Sequence, residues 1–179
     1  MAKQKFERSD MLLVAREIIR EKGAANLTLQ EVATRIGATK GAILHWYPSK
    51  MALIDAVVAS QIGDWDARFE ENAPDTNSVS GLLQAYLKTW EEQDVDQASY
   101  GEAVLLLLAE DPERLTSVRD AYSRYSRPYM AQVDQDISPL LIWLACEGLE
   151  ALGLQQLFEV SPELRARIYA ELRAKAAIL

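Results

Sequence analysis

Residues 28–50 read TLQEVATRIGATKGAILHWYPSK, and they contain two short helical patterns separated by a glycine. Thr28, followed by Glu31 and by apolar residues at helical spacing, is typical of a capping box at the start of a helix. Gly37 allows a tight turn, because glycine adopts backbone angles that other residues avoid. A second cap at Thr39 starts another helix. The stretch therefore predicts a helix-turn-helix pair.

A third helix is predicted ahead of this pair, and the three helices together can close a small core. Each carries apolar residues on one face, at spacings of three or four residues. These residues are Leu12, Ala15, Ile18 and Ile19 in the first helix, Leu29, Val32, Ala33 and Ile36 in the second, and Ile43 and Tyr47 in the third. We therefore expect a three-helix module near the start of the chain.

The quoted stretch is basic, although the protein of 179 residues has a formal net charge of -8. Residues 1–60 hold nine Lys or Arg against six Asp or Glu, whereas residues 61–179 hold ten against twenty-one. No acid lies between Ile36 and Lys50. A small basic module on an acidic body is typical of a nucleic-acid-binding protein with a separate regulatory domain.

Apolar residues keep a helical period along the rest of the chain, and no alternating run predicts a strand. Helix starts are marked by Ser49 and by the pairs at 111–112, 138–139 and 161–162, in which Asp or Ser precedes proline. The fold class is therefore predicted as all-α, with a helical bundle after the first three helices. The predicted helices lie near residues 8–22, 28–35, 39–46, 49–71, 79–93, 98–110, 112–134, 139–157 and 162–177.

The third helix has an outer face whose chemistry suits DNA. With the two core residues turned inward, this face carries Lys40, Gly41, Leu44 and His45. Lysine and histidine can bond base edges, glycine permits close approach of the backbone, and leucine can contact a thymine methyl. Donors to phosphate oxygens surround the face, namely Thr28, Thr39, Trp46, Ser49 and Lys50. We predict that these nine residues contact DNA; from the residues alone, an ordinary solvated helix surface is the alternative.

At these residues the sequence resembles a known family. The stretch LTLQEVATRIGATKGAILHWYPSKMALIDAVV, residues 27–58, closely resembles the DNA-binding segment of the TetR family of bacterial transcriptional regulators. The usual pattern there is a Thr-capped helix, then Gly-x-Ser/Thr-Lys-Gly-x-Leu-Tyr-x-aromatic-Phe, then a Pro-Ser-Lys link. Leu44 replaces the usual tyrosine, and Trp46 stands where histidine or tyrosine is common. The resemblance implies that the chain binds double-stranded operator DNA through this segment.

The resemblance also implies a role for each part of the chain. Residues 1–48 would form the helix-turn-helix DNA-binding domain, and residues 49–179 a ligand-binding and dimerisation domain, linked by the helix at 49–71. In the TetR family a small molecule binds the second domain and moves the linking helix, so that the recognition helices of a homodimer no longer fit the operator. A repressor released by a small-molecule effector is therefore expected, with no cofactor and no metal.

The ligand is less well defined by the sequence. Aromatic residues and acids with a tendency to be buried can stack on, and neutralise, a flat hydrophobic cation. The candidate ligand-binding residues are Trp65, Trp90, Glu102, Leu105, Tyr122, Tyr125, Trp143, Glu147 and Glu150. The segments DWD, LLLLAEDPERL and CEGLEAL also look similar to the subgroup of TetR regulators that respond to cationic antiseptics and dyes. A metabolite, another drug or an unliganded repressor are the alternatives.

The dimer interface is predicted on the last two long helices. Residues 139–158, PLLIWLACEGLEALGLQQLF, are apolar around most of the helix circumference, which is more than one face within the chain needs. The interface residues are expected to be Leu141, Leu144, Ala145, Gly148, Leu149 and Leu152. A helix buried at the centre of a single chain is the alternative.

Other classes of protein are disfavoured. The longest apolar stretch, 137–146, is too short to span a bilayer, and the N-terminus lacks the apolar run of a signal peptide, so a cytoplasmic location is expected. With a single histidine and a single cysteine, Cys146, the sequence lacks the residues of the usual nucleophilic and metal-dependent active sites, so no enzyme is expected. Carboxylate chemistry between Glu102 and Glu147 is the enzymatic alternative. The main alternative is a helical small-molecule-binding or scaffold protein without functional DNA binding.

Overall fold

The computed structural model describes residues 7–73, 77–92, 97–154, 157–158 and 160–179. Within those ranges the protein forms nine α-helices, two short 3-10 turns and no strand, which confirms the all-α prediction. The helices are α1 (Arg8–Lys22), α2 (Leu29–Arg35), α3 (Lys40–Trp46), α4 (Lys50–Asn72), α5 (Val79–Glu91), α6 (Gln97–Glu110), α7 (Thr116–Met130), α8 (Ser138–Leu154) and α9 (Pro162–Ala176). The 3-10 turns are Ala24–Asn26 and Pro112–Leu115. No helix in the described part of the chain has both the length and the apolar character needed to cross a bilayer.

Side-chain caps start several helices where the sequence predicts them. The hydroxyl oxygens of Thr28, Ser49 and Ser161 each accept the backbone N–H three residues further on, at 3.1, 3.1 and 3.2 Å. The capping box at Thr28 is only half formed, because the carboxylate of Glu31 forms ion pairs with two cations instead. These caps are local in sequence, which is why the helix starts could be predicted.

The helix predicted over residues 112–134 is shorter in the structure. Its first turn is the 3-10 turn, since the carboxylate of Asp111 accepts the N–H of Glu113 at 3.0 Å and Pro112 follows the cap. At the other end, α7 stops at Met130 and residues 131–135 form turns. The prediction of one continuous helix was therefore wrong at both ends.

The start of α8 also differs from the prediction. Ser138 was expected to cap this helix, but its own N–H donates to the carboxylate of Asp136 at 2.8 Å. The first helical bond runs from Leu141 N–H to the carbonyl of Ile137 at 3.1 Å. Asp136 thus takes the capping role, because an ionised carboxylate is a stronger acceptor than a hydroxyl.

The described residues form two compact units. The first contains α1, α2, α3, residues 50–61 of α4, α6 and the turn Pro112–Leu115. The second contains residues 62–72 of α4, α5, residues 118–130 of α7, α8 and α9. The predicted functional division at residues 48 and 49 remains a prediction.

The core of the first unit follows the predicted helix faces closely. The buried residues include Ala15, Ile18 and Ile19 of α1, Leu29, Val32 and Ala33 of α2, and Ile43 and Tyr47 at α3. Leu12 is only half-buried, and Met11 takes the buried place beside it. Ile36 is half-buried as well, because the chain already turns there. The three helices therefore close the core that the apolar spacing predicts.

The core of the second unit is unusually aromatic. It is formed by Trp65, Leu83, Tyr86, Leu87, Trp90, Tyr129, Ile142, Trp143, Cys146, Tyr169, Leu172 and Ala176. Helix α5 packs against α8 and α9 inside this unit. Cys146 is fully buried, and burial raises the pKa of its thiol well above the ordinary value, so it is a core residue, as predicted, rather than a reactive thiol.

Candidate DNA interface and effector cavity

The turn between α2 and α3 positions the third helix. Gly37 has a φ of 70°, the left-handed region that the prediction required of it. The N–H of Ala38 donates to the carbonyl of Ala33 at 2.8 Å, and the N–H of Gly37 to that of Thr34 at 3.2 Å. This pair of bonds is a Schellman motif, which ends α2, and only Gly37 and Ala38 separate the C-cap Ile36 from Thr39, the N-cap of α3. A side chain at residue 37 would be strained there.

Helix α3 presents one face to solvent and buries the other. Ile43 and Tyr47, with 0% and 2% of their surface exposed, anchor it to the core. The four residues predicted to read base edges, Lys40, Gly41, Leu44 and His45, are all exposed. Among the described residues, Lys40 has no hydrogen-bond partner or ion pair. The face is therefore available to a groove of DNA in the way the sequence predicts.

Three hydroxyl groups lie at helix starts around this face. Thr28, Thr39 and Ser49 are exposed, and each uses its oxygen to accept a backbone N–H of its own helix, at 3.1, 3.2 and 3.1 Å. A hydroxyl that accepts in this way keeps its own hydrogen for another acceptor. These groups can therefore cap their helices and donate to a phosphate at the same time.

Lys50 and Trp46 complete the predicted phosphate-binding set. The Lys50 ammonium donates to the carbonyl of Ala25, which holds it in place and leaves further N–H donors, since an ammonium has three. Trp46 is 51% exposed, and its ring meets that of His45 edge to face at 5.7 Å. An exposed indole on a small helix provides an N–H donor at the surface.

Two acids of the first two helices, Glu21 and Glu31, are paired with cations. Arg35 bonds to Glu21 and Glu31, and Lys22 bonds to Glu31 at 2.6 Å. Hydrogen bonds from Arg35 lower the pKa of Glu21, and those from Lys22 and Arg35 lower the pKa of Glu31. These carboxylates are thus already paired within the protein, and they do not neutralise the positive charge of the α3 face.

A cavity of about 300 Å³ opens in the second unit. It is lined by Asp66, Phe69, Glu70, Leu82, Tyr86, Arg124, Tyr125, Pro128 and Tyr129. Helices α4, α5 and α7 supply these residues. The lining is mostly aromatic and apolar with a few charged groups, the composition typical of small-molecule sites.

Trp65 lies next to this cavity at the centre of an aromatic cluster. Its ring centroid is 5.4 Å from that of Phe69, 4.9 Å from Tyr86 and 4.5 Å from Tyr125. The ring of Trp143 lies 6.3 Å from that of Tyr86. Three of the predicted ligand residues, Trp65, Tyr125 and Trp143, are therefore brought together around the cavity wall.

Other predicted ligand residues are buried polar groups of the same unit. Glu147 accepts a hydrogen bond from the Tyr86 hydroxyl, and burial raises the pKa of its carboxyl. Glu150 accepts from Tyr169 and from Arg165, the latter at 2.8 Å. Both acids thus have partners within the protein, and only Glu147 reaches the cavity, through Tyr86.

The remaining candidates lie at the edges of the aromatic cluster or outside it. Trp90 packs 6.2 Å from Trp65, and Tyr122 lies 6.2 Å from Trp143. Glu102 and Leu105 belong to α6 in the first unit. The Glu102 carboxylate there accepts the N–H of Ala24 at 3.1 Å, and Leu105 is exposed. Neither residue is among those that line the cavity.

Several cavity residues were missed by the sequence reading. Asp66, Phe69 and Glu70 follow Trp65 on α4, and Arg124 precedes Tyr125 on α7. Asp66 binds Arg124 at 2.8 Å and accepts from the Tyr125 hydroxyl, so one carboxylate joins two helices. The position four residues beyond Trp65 shares its side of the helix, and this spacing was the available signal for Phe69.

Helix α8 has one buried and one exposed face. The buried face carries Ile142, Trp143, Cys146, Glu147 and Glu150. The opposite face carries the predicted interface residues Leu141, Leu144, Ala145, Gly148 and Leu152, all exposed, with Leu149 half-buried beside them. An apolar face left in solvent marks an interaction surface.

Two family models match the sequence. The model described as "Bacterial regulatory proteins, tetR family" matches residues 12–57, and that described as "Tetracyclin repressor-like, C-terminal domain" matches residues 80–177. The second match alone spans more than half of the chain. No curated protein sequence matches significantly.

Solved structures share the fold along nearly the whole chain. A transcriptional regulator from Rhodococcus sp. Rha1 has a TM-score of 0.72 at 16% identity, with 97% of this chain and 95% of that one covered. The fatty acid degradation regulator FadR from Bacillus halodurans has a TM-score of 0.68 at 13% identity, with 95% and 96% covered. A regulator of the TetR/AcrR family from Thermobifida fusca YX-ER1 has 0.65 at 25% identity, with 93% and 96% covered.

Proposed function

The protein belongs to the TetR family of bacterial transcriptional regulators, and on that premise we propose that it is a homodimeric repressor released from its operator by a small hydrophobic ligand. Members of this family regulate transcription and are not enzymes, so the protein acts by binding. Its proposed target is double-stranded operator DNA, and we therefore place its action in the cytoplasm.

The observation that carries the proposal is the exposed, acid-free face of α3. Lys40 and His45 project from a helix that two buried residues anchor, and hydroxyl and ammonium donors lie around it. Side chains that read base edges need a rigid helix, and donors to phosphate fix its register on the duplex. We assign Lys40, Gly41, Leu44 and His45 to base readout and Thr28, Thr39, Trp46, Ser49 and Lys50 to phosphate.

Dimerisation is supported by the free face of α8. A single seven-residue helix reads too few bases for a specific site, and two copies related by a twofold axis double the contact. The exposed leucines of α8 offer an isologous surface, in which the same patch of each protomer meets the other. We assign this face to the dimer interface.

The cavity of the second unit is the proposed effector site. Phe69, Tyr86 and Tyr125 line it with aromatic rings, and the Glu70 carboxylate lines the same space, whereas the Asp66 carboxylate there is already paired with Arg124. Ring faces attract cations, and carboxylates neutralise them in a partly buried site. This lining, together with the resemblance to regulators of cationic antiseptics, favours a flat hydrophobic cation as the first class of ligand to test.

Release follows from differential affinity. We propose that the ligand binds more tightly to a conformation of the dimer that does not fit the operator. Such a ligand lowers the affinity for DNA by some factor, and DNA lowers the affinity for the ligand by the same factor. Helix α4 supplies Lys50 to the proposed phosphate contacts and Asp66 and Phe69 to the cavity. We propose that this helix carries the coupling.

The test is a fluorescence polarisation titration against DNA fragments from the gene's own neighbourhood, at two salt concentrations. Lys50→Ala should weaken binding to all sequences equally and lower the salt slope by about one, because it removes one phosphate contact. Lys40→Ala should instead reduce the preference for the selected fragment over random DNA. A wild-type protein with no preference and no salt-dependent binding would contradict the function and favour a scaffold protein.

A further inference from the structure

Arg8 and Tyr47 are joined across the first unit. Arg8 is the first residue of α1, and Tyr47 is the residue directly after α3. The Arg8 Nε donates to the Tyr47 hydroxyl at 3.1 Å, and the guanidinium carbon lies 5.6 Å from the centre of the Tyr47 ring. Neither residue was assigned a polar role from the sequence, where Tyr47 was predicted only as core.

The contact fixes the guanidinium without using its outer donors. The Tyr47 side chain is held in the core with 2% of its surface exposed, so its hydroxyl is a rigid acceptor. An arginine has five N–H donors, and only the Nε donor is used here. The two Nη groups have no partner among the described residues, and Arg8 is exposed. A planar pair of charged donors in this arrangement matches the oxygens of a phosphate.

The residue that holds this donor pair is a close sequence neighbour of the proposed DNA contacts. Trp46 precedes Tyr47, and Ser49 and Lys50 follow it after one proline. All three belong to the proposed phosphate-binding set. The guanidinium therefore lies where the DNA-facing segment of the chain leaves α3 and enters α4.

Two acids, Glu7 and Asp10, lie near Arg8 in sequence at the start of α1. The carboxylate of Asp10 accepts the N–H of Glu7 at 2.9 Å and so caps the start of α1. Glu7 is exposed. No ion pair joins either acid to Arg8 within the described residues, so its Nη donors are not already engaged by a carboxylate.

We propose that Arg8 is a phosphate-binding residue of the DNA interface, oriented by Tyr47, and this inference rests on the proposed DNA-binding function. A pre-oriented guanidinium loses little side-chain freedom on binding, so it contributes more than a free surface arginine. A phenylalanine at residue 47 would preserve the core ring but remove the acceptor. The Tyr47 hydroxyl is thus the group that orients this arginine toward the interface.

The experiment measures the salt dependence of binding to a random-sequence DNA duplex and to the selected fragment. Arg8→Ala should lower the salt slope by about 0.9, so the wild-type advantage over the variant should shrink about 3.5-fold between 50 and 200 mM salt. Tyr47→Phe should retain the slope and lower affinity about two- to threefold, because the charge stays but is less ordered. Arg20→Ala is the control; Arg20 is exposed near the opposite end of α1, about 18 Å along the helix from Arg8, and should change neither quantity.

Arg8→Gln keeps a donor for the Tyr47 hydroxyl without the charge, and it serves if Arg8→Ala unfolds. A wild-type slope in the folded Arg8 variants would overturn the inference, even if affinity falls, because it would show a purely structural role. If the wild type itself shows no salt-dependent DNA binding, the proposed function fails instead. The two failures are thereby distinguishable.

Discussion

At Gly41 the protein leaves space for a side chain, whereas bound DNA is expected not to. A Cβ built at this position meets only the Thr39 hydroxyl, at 3.8 Å, which is an ordinary contact. The protein itself therefore tolerates a side chain here. If glycine is needed, the need comes from DNA that approaches the backbone of α3.

Gly41→Ala should accordingly separate stability from binding. The free energy of unfolding should stay constant or rise by up to about 1 kcal/mol, because alanine favours helix. DNA affinity should fall at least about tenfold, or 1.4 kcal/mol. Urea unfolding and polarisation titration measure the two quantities. Unchanged DNA affinity would show that the duplex does not approach residue 41.

Glu147 should make the second unit sensitive to pH. Burial raises its folded pKa above the ordinary 4.5, so the folded state holds this proton more tightly than the unfolded state. The resulting stability is complete below pH 4.5 and is lost as pH rises through the folded pKa. The lowered pKa values of Glu21 and Glu31 have the opposite effect on stability, because the contribution of these groups to the free energy of unfolding is lost as pH falls.

Glu147→Gln should flatten the dependence of unfolding free energy on pH above 4.5. The amide oxygen still accepts from the Tyr86 hydroxyl, but no charge is buried when the pH rises. Urea unfolding at a series of pH values measures this. A variant with the same slope as the wild type would show that Glu147 does not titrate differently in the two states.

At the scale of elements, the connection between α1 and α2 is held by two other helices. The N–H of Ala24 donates to Glu102 of α6, and the carbonyl of Ala25 accepts from Lys50 of α4. Gly23 enters this connection with a φ of 83°, and a Cβ there would lie 2.9 Å from the Glu102 carboxylate. Glycine is therefore needed for both backbone and space.

Gly23→Ala should lower the free energy of unfolding by about 1–3 kcal/mol, because a left-handed φ is strained for alanine and Glu102 must also turn away. Gly63→Ala is the matched control, since a Cβ there meets nothing within 4 Å inside α4. It should stabilise by up to about 1 kcal/mol. Equal effects of the two substitutions would refute the role given to this connection.

Leu144→Glu tests the free face of α8. Leu144 is 48% exposed, so a charge there costs an isolated chain little but would be buried in a dimer. Light scattering should give twice the chain mass of 20.1 kDa for the wild type and one chain mass for the variant. Leu108→Glu, at a leucine 44% exposed on α6, should remain dimeric. A dimeric Leu144 variant would place the interface elsewhere.

The helix starts could be predicted where the residues that cap them lie close in sequence to the backbone groups they bind. Thr28, Ser49 and Ser161 cap the helices they were predicted to cap, because the acceptor and its N–H are three residues apart. Ser138 does not form the predicted cap, because a stronger acceptor, Asp136, lies two residues before it. The outer face of α3 was predictable for the same reason, since its buried residues lie within one short helix.

At the scale of the whole molecule, the sequence could not say which helices meet. The bond between Glu102 and Ala24 joins residues 78 apart, so nothing local shows that α6 packs with the first helices. Periodicity likewise marks an aromatic residue as inward-facing but not as core or cavity wall. The cavity therefore contains Phe69 and Arg124, which the sequence reading missed, and lacks Glu102, which it included.

The central claim is that two copies of α3 read one operator, and a hydroxyl-radical footprint on the selected fragment tests it most directly. The proposed dimer predicts two protected half-sites related by a twofold axis, with centres about 34–36 Å apart or a multiple of this distance. Lys40→Ala should weaken both half-sites equally. A single asymmetric protected patch, or no protection on any fragment, would contradict the claim.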